Sequence, residues 1–246
     1  MFCVIRIPNL VMFVKIWYNR VHMVITDMTI DWKWVEKTLL EKERITPSAA
    51  NAISKSARKS VDMAKDLARP KAVLLKKALR SFDNGCMQLA GGIEFSGRTL
   101  SSCVNGADHV YVFLVTIGPS VEAEASSLMR SGESLAGYLL DRAGSFAVES
   151  LADTLGSRIL KEDGRKGKSA SMPFSPGYCD WPIEEQIKLD KILGFSRIGV
   201  RLTESCMMAP RKSISGLIAI GPAKLFSKAR PKCGICTMKN CGYRRA

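Results

Sequence analysis

The stretch FSPGYCDWPIEEQIKLDKILGFSRIGVRLTESCMMAPRKSISG, residues 174–216, holds most of the chain's chemical signal, and its reading decides the fold. Ser175-Pro176-Gly177-Tyr178 predicts a tight turn: glycine lets the backbone approach a ligand, and tyrosine offers a flat ring with a hydroxyl. Pro182 to Leu193 reads as a helix capped by Asp180, and Arg197 to Thr203 and Ser213 to Gly221 read as strands. Leu202-Thr203-Glu204-Ser205 ends the first of these strands with a carboxylate and two hydroxyls, and Pro210 precedes Ser213-Ile214-Ser215-Gly216. As bare physics, each of these is turn chemistry as readily as a ligand site.

Upstream of this stretch the pattern mixes helix and strand. His109 to Thr116 (HVYVFLVT) is β-branched and aromatic, and predicts a strand central to a sheet. Helices follow at Val121 to Met129 and Ser134 to Leu160. The second places Leu135, Leu139, Ala143, Phe146, Ala147, Leu151 and Leu155 on one face. Asp141, Ser145 and Glu149 recur every four residues opposite that stripe, as a solvated face or a ligand contact. Trp32 to Glu43 reads as a helix, and another opens at Thr46-Pro47, runs through Ile53, Ala57, Val61, Ala64 and Ala68, and stops at Pro70. Lys71 to Arg80 holds the strand-like AVLL, Cys86 to Phe95 is extended around Gly91-Gly92, and Ser96 to Val104 is a short helix. Lys161 to Lys168 reads as an exposed basic loop, and no internal repeat is visible.

The whole-chain numbers bound the rest. With 246 residues, 27.1 kDa and 46% apolar content, the chain can bury a sizeable core. A formal charge of +14 and a pI near 9.6 favour an acidic partner. Eight cysteines spread over this length suit free thiols in a reducing cytoplasm rather than a secreted disulfide framework. Only His22 and His109 are available for histidine chemistry, and neither a phosphate loop nor a dinucleotide fingerprint is present. Gly132-Glu133-Ser134-Leu135-Ala136 lacks the final glycine of a nucleophile elbow. Ordinary hydrolase, kinase and dehydrogenase readings therefore fall.

The ends read differently from the middle. Residues 1–29 are apolar but broken by Arg6, Pro8, Lys15 and Arg20, short of the ~18 uninterrupted residues of a membrane span. They are expected to form a loosely attached extension, with Met23 or Met28 as an alternative start. Residues 223–246 form a basic tail with Cys233, Cys236 and Cys241. Thiolates at this spacing can wrap a zinc ion or part of an iron–sulfur cluster, with Cys179 or Cys206 as a fourth ligand, or remain free or form a regulatory disulfide.

In order and spacing, residues 174–216 resemble the signature region of the activation domain of cobalamin (vitamin B12)-dependent methionine synthase: a GY turn, a helix, an LTES strand end, a proline and an S-x-SG strand. The Ile30-Asp31 start, the Thr116-Ile117-Gly118 strand end and the long helix with Glu149 follow the same order, so the resemblance covers about residues 30–222. It implies an α+β fold, a twisted antiparallel sheet flanked by helices, docking over cobalamin held by a partner. It also implies reductive reactivation: an electron from an acidic flavodoxin or ferredoxin and a methyl group from S-adenosylmethionine restore cob(II)alamin to use. The expectation is a separate accessory protein rather than a complete enzyme, with its cofactors carrying the chemistry.

By the resemblance, Gly177 and Tyr178 hold S-adenosylmethionine, lined by Ser175 and Pro176, with Asp31, Glu149 and Glu204 as acidic positions of the site. Asp31 is equally placed to cap the first helix. Pro173 stands where the family's R-x-x-x-G-Y turn has arginine, and Ile218 where the longer enzymes have tyrosine; Arg165 or Lys168 are the alternative cations. The client is a methionine synthase or another corrinoid methyltransferase. A competing reading is a nucleic-acid-binding module with a basic arm and a zinc knuckle, but basic and aromatic residues do not interleave as a stacking platform requires.

Overall fold

The structure, a computed structural model, describes residues 2–7, 10–17, 20–45, 50–83, 85–163 and 166–226. The strands are β1 (Phe2–Ile7), β2 (Leu10–Trp17), β3 (Arg20–Ile25), β4 (Lys71–Asp83), β5 (Cys86–Leu89), β6 (Ile93–Ser96), β7 (His109–Thr116), β8 (Lys168–Ala170), β9 (Arg201–Leu202), β10 (Met208–Ala209) and β11 (Ser213–Pro222). The helices are α1 (Trp32–Lys42), α2 (Ala50–Leu67), α3 (Arg98–Val104), α4 (Ser120–Arg130), α5 (Ser134–Asp163), α6 (Gln186–Leu193) and the single turn α7 (Ala223–Phe226).

Strand β7 is central, as its β-branched composition predicts. It pairs antiparallel with β4 on one side, Val73 opposite Leu114, and with β11 on the other, Leu217 opposite Val112. The main sheet runs β1-β2-β3-β4-β7-β11-β8, with β5 and β6 curling off the far end of β4. Because side chains alternate across a strand, β7 sends Phe113 and Val115 into one core and Val110, Val112 and Leu114 into the other. Helices α1, α2, α4 and α5 cover the first face; α3, α6 and the β5–β6 hairpin cover the second. The result is the mixed α+β architecture expected, with an antiparallel sheet between helical layers.

Four expectations need correction. Within residues 1–29, the stretch from Arg20 does not hang loose: β3 pairs with β4, Met23 opposite Leu74, and Ile25 and Met28 lie buried in the first core. Arg197 to Thr203 is not a sheet strand. Phe195–Ile198 closes on itself as a 3-10 turn, with Gly199 N donating to Ser196 O and Val200 N to Phe195 O, leaving Arg201–Leu202 to pair with Met208–Ala209 in a separate hairpin. The basic stretch from Lys161 to Lys168 is not all loop, since α5 runs to Asp163 and β8 begins at Lys168. Finally, α5 is buried on more than its apolar stripe. Leu135 at its start is 51% exposed, whereas Asp141 and Ser145 meet the buried Lys212, whose Nζ lies 2.8 Å from Asp141 Oδ1 and 2.9 Å from Ser145 Oγ. Thr46 and Pro47 lie outside the described residues.

Candidate functional site

The loop entering α6 is built by its own sequence. Gly177 adopts φ +87°, a conformation that a side chain would strain, and its N–H donates to Trp181 O at 2.8 Å while Trp181 N donates to Tyr178 O at 3.1 Å. Trp181, 1% exposed, stacks on Phe174 at 5.8 Å and meets the edge of Phe95 at 5.5 Å. Asp180 does not cap the helix that follows it. Its carboxylate accepts from Arg98 N (2.8 Å) and Thr99 N (3.0 Å) and so caps α3, tying the loop to the second face of the sheet. Burial works to raise the Asp180 pKa, but the hydroxyl and N–H of Thr99 and the N–H of Arg98 outweigh it and hold the carboxyl below the usual range.

A second contact sets this loop against β11. Phe174 N donates to Leu217 O at 3.0 Å and Leu217 N returns a bond to Phe174 O at 2.8 Å. Gly216 makes the crossing possible, because a Cβ there would overlap the Phe174 carbonyl oxygen and come within 3.1 Å of Ser175 Cα. The SG pair in the sequence is thus the floor under the GY turn.

Between them lies an open cleft of about 230 Å³. Ser175, Pro176, Gly177 and Tyr178 form one wall, and Cys206, Met207 and Met208 of the β9–β10 hairpin form another. Ser213, Ile214 and Ser215 are the floor, with Ile183 and Gln186 closing one end. The hairpin is held by Thr203 N donating to Met207 O (2.8 Å) and Met207 N donating to Thr203 Oγ1 (3.1 Å). On the floor, Ser215 Oγ donates to Gln186 Oε1. Ser175 is 7% exposed, and its hydroxyl has no hydrogen-bond partner among the described residues. A buried hydroxyl left unpaired is unfavourable until a ligand or water meets it.

The structure brings together four of the expected site residues, Ser175 to Tyr178, and leaves three outside the cleft. Glu204 is exposed in the hairpin turn and does not line it. Asp31 caps α1, its Oδ1 accepting from Trp34 N at 3.0 Å, and its own N–H donates to Ser150 Oγ at 2.9 Å. Ser150 adjoins Glu149 on α5, so Asp31 and Glu149 lie near one another, on the helix-covered first face of the sheet. Lys168 is placed far from the turn, pairing with Asp108 at 2.7 Å beside the opposite end of β11, and Arg165 lies outside the described residues. Ile218 is fully buried in the first core. Gln186, Met207 and Met208 are cleft residues that pattern reading missed. Only the alternation of the SISG strand hinted that Ser213 and Ser215 share a face.

Cys233, Cys236 and Cys241 lie outside the described residues. Among the described residues no cluster of three or more metal-ligating side chains occurs, and no helix is long and apolar enough to cross a membrane.

No curated protein matches the sequence. Among solved structures, the crystal structure of the MetH reactivation domain bound to AdoHcy shares the fold, with a TM-score of 0.56, 20% identity, and 78% of this chain and 74% of that chain covered. The family model for the activation domain of vitamin B12 dependent methionine synthase matches residues 100–230. That match takes in β7, α5, the GY turn and both walls of the cleft, more than half of the chain, and the chain belongs to the vitamin B12 dependent methionine synthase activation domain family.

Proposed function

We propose that the chain is the reactivation partner of a cobalamin-dependent methionine synthase or a related corrinoid methyltransferase. In this reading residues 30–222 form the working domain, with residues 1–29 and the basic tail 223–246 as additions to it. It binds S-adenosylmethionine at the GY turn and docks over the cobalamin of its client. The observation that carries the ligand reading is the buried, unpartnered Ser175 hydroxyl at a turn that only Gly177 permits, in a cleft lined by sulfur and hydroxyl side chains.

Bound there, S-adenosylmethionine would supply an activated methyl group to the client's cobalamin once a flavodoxin- or ferredoxin-like donor has delivered an electron. The chain's own part is to position and to exclude water. Tyr178, 41% exposed, and Met207, 56% exposed, stand at the cleft, with Ile187, 44% exposed, one residue beyond Gln186. Exposed apolar side chains grouped in this way favour a partner surface there. A net charge of +14 suits an acidic electron donor, with association weakened by salt.

Cys86, Cys179 and Cys206 are thiols, in keeping with a reducing, cytoplasmic setting. The Cys233-x2-Cys236-x4-Cys241 spacing supports a zinc or iron–sulfur site in the tail.

Calorimetric titration with S-adenosylhomocysteine, then with a cobalamin-loaded client domain, tests the reading, and both are expected to bind. Salt-sensitive binding to generic oligonucleotides with no response to either would replace it with a nucleic-acid role.

A further inference from the structure

The cleft is largely apolar, with a few hydroxyl and amide groups and no charge. Among the described residues no Asp, Glu, Lys, Arg or His lines it. The cations nearest in sequence are engaged elsewhere: Lys212 with Asp141 at 2.8 Å, Arg211 with Glu122 at 3.6 Å, and Lys188 with Glu185 at 2.9 Å. An ionised carboxylate brought against these walls would lose hydration and meet no opposite charge, which is unfavourable. A purine ring has the opposite requirement: apolar faces with hydrogen-bonding groups at its edge. The Tyr178 ring and the thioethers of Met207 and Met208 offer such faces. Gln186, whose Oε1 accepts from Ser215, has its NH₂ to donate, and the Ser175 hydroxyl is buried and without a partner among the described residues. The volume, about 230 Å³, is below the roughly 300–1,000 Å³ of sites that enclose a drug-sized ligand, so it holds part of one.

We infer that the cleft recognises the uncharged nucleoside half of a 5′-thioadenosine ligand and leaves the amino-acid end in solvent. This rests on the ligand reading proposed above and narrows it. Recognition then depends on hydroxyl, amide and ring contacts, and the ligand's carboxylate contributes little.

The test uses the full chain and titrates S-adenosylhomocysteine, 5′-methylthioadenosine and homocysteine by calorimetry. The two nucleosides are expected to bind within about threefold of each other, and homocysteine not at all, since no charge-assisted contact is lost with the amino-acid end. Ser175→Ala is expected to weaken both nucleosides by the same factor, about five- to tenfold, without lowering the thermal unfolding midpoint, because the hydroxyl has no partner within the described chain. If S-adenosylhomocysteine binds and 5′-methylthioadenosine is weaker by more than about 30-fold, the inference is overturned while the proposed function stands. If neither nucleoside binds, the proposed function falls and the inference with it. A Ser175→Ala variant that binds both at full strength also overturns the inference.

Discussion

Gly216→Ala tests how the cleft is built. Gly216 has ordinary strand geometry, so the substitution adds no backbone strain, and its whole effect is steric. The new methyl would overlap the Phe174 carbonyl oxygen and lie 2.9 Å from the carbonyl carbon and 3.1 Å from Ser175 Cα, all main-chain atoms that cannot rotate away. The loop must lift from β11, which breaks the paired bonds between Phe174 and Leu217 at 2.8 and 3.0 Å. If both ends rehydrate, the loss is about 1 kcal/mol per bond; if they stay buried and unpaired it is about 1–3 kcal/mol each. Together with disturbed packing of Phe174 on Trp181, a destabilisation of roughly 2–5 kcal/mol is expected. Urea denaturation should show a lower midpoint at unchanged slope, and S-adenosylhomocysteine binding should be lost with it. Gly156→Ala is the matched control: in the interior of α5 its new methyl would meet nothing nearer than Ile218 Cδ1 at 3.8 Å, so it should stabilise by about 0.5–1 kcal/mol. A Gly216→Ala protein with unaltered midpoint and affinity would refute the crossing of the GY loop over β11.

Asp180→Ala removes the tie between the GY loop and α3 and should destabilise by about 1–2 kcal/mol at neutral pH, read from the urea midpoint. The carboxyl's pKa in the folded state is depressed, so its contribution is present above the unfolded value of ~3.9 and fades as pH falls through the lower folded one. The difference between parent and variant should therefore shrink only below about pH 4; a difference that vanishes by pH 6 would contradict the assignment. Lys212→Met strips Asp141 and Ser145 of a buried ammonium, with an expected loss of about 1–3 kcal/mol, and combined with Asp141→Asn it should lose less than the sum of the two. For the tail, anaerobic purification followed by iron, sulfide and zinc analysis should find bound metal that Cys233→Ser abolishes, and metal-free protein with freely titrating thiols would end that reading.

Much of the scaffold was legible because its signals are local. The β-branched run of His109–Thr116 and the apolar period of Ser134–Leu160 specify strand and helix from neighbours within one or two turns. The GY turn was equally legible, since a proline and a glycine at adjacent positions narrow the backbone to few shapes. Asp180 misled because a carboxylate before a helical run looks like that run's cap, whereas the amides it serves belong to Arg98 and Thr99, some eighty residues earlier. The polar face of α5 misled for the same reason, as its partner Lys212 lies far along the chain.

By itself the sequence determined the order of the elements from Trp32 to Leu160, the central place of His109–Thr116, the turn at Gly177 and the family to which they point, all of which rest on short-range periodicity, turn chemistry and motif spacing. Tertiary structure alone decided that Ser175, Gln186, Met207, Met208 and Ser215 share one cleft, that Glu204 stays outside it, and that Asp31 bonds Ser150, the neighbour of Glu149, on the helix-covered first face of the sheet. The physical reason is that each of those relations joins residues far apart in the chain: the cleft depends on Gly216 letting β11 pass beneath a loop forty residues earlier, and Asp31 reaches α5 through Ser150, 119 positions on. No pattern within a window of a few residues records such an approach.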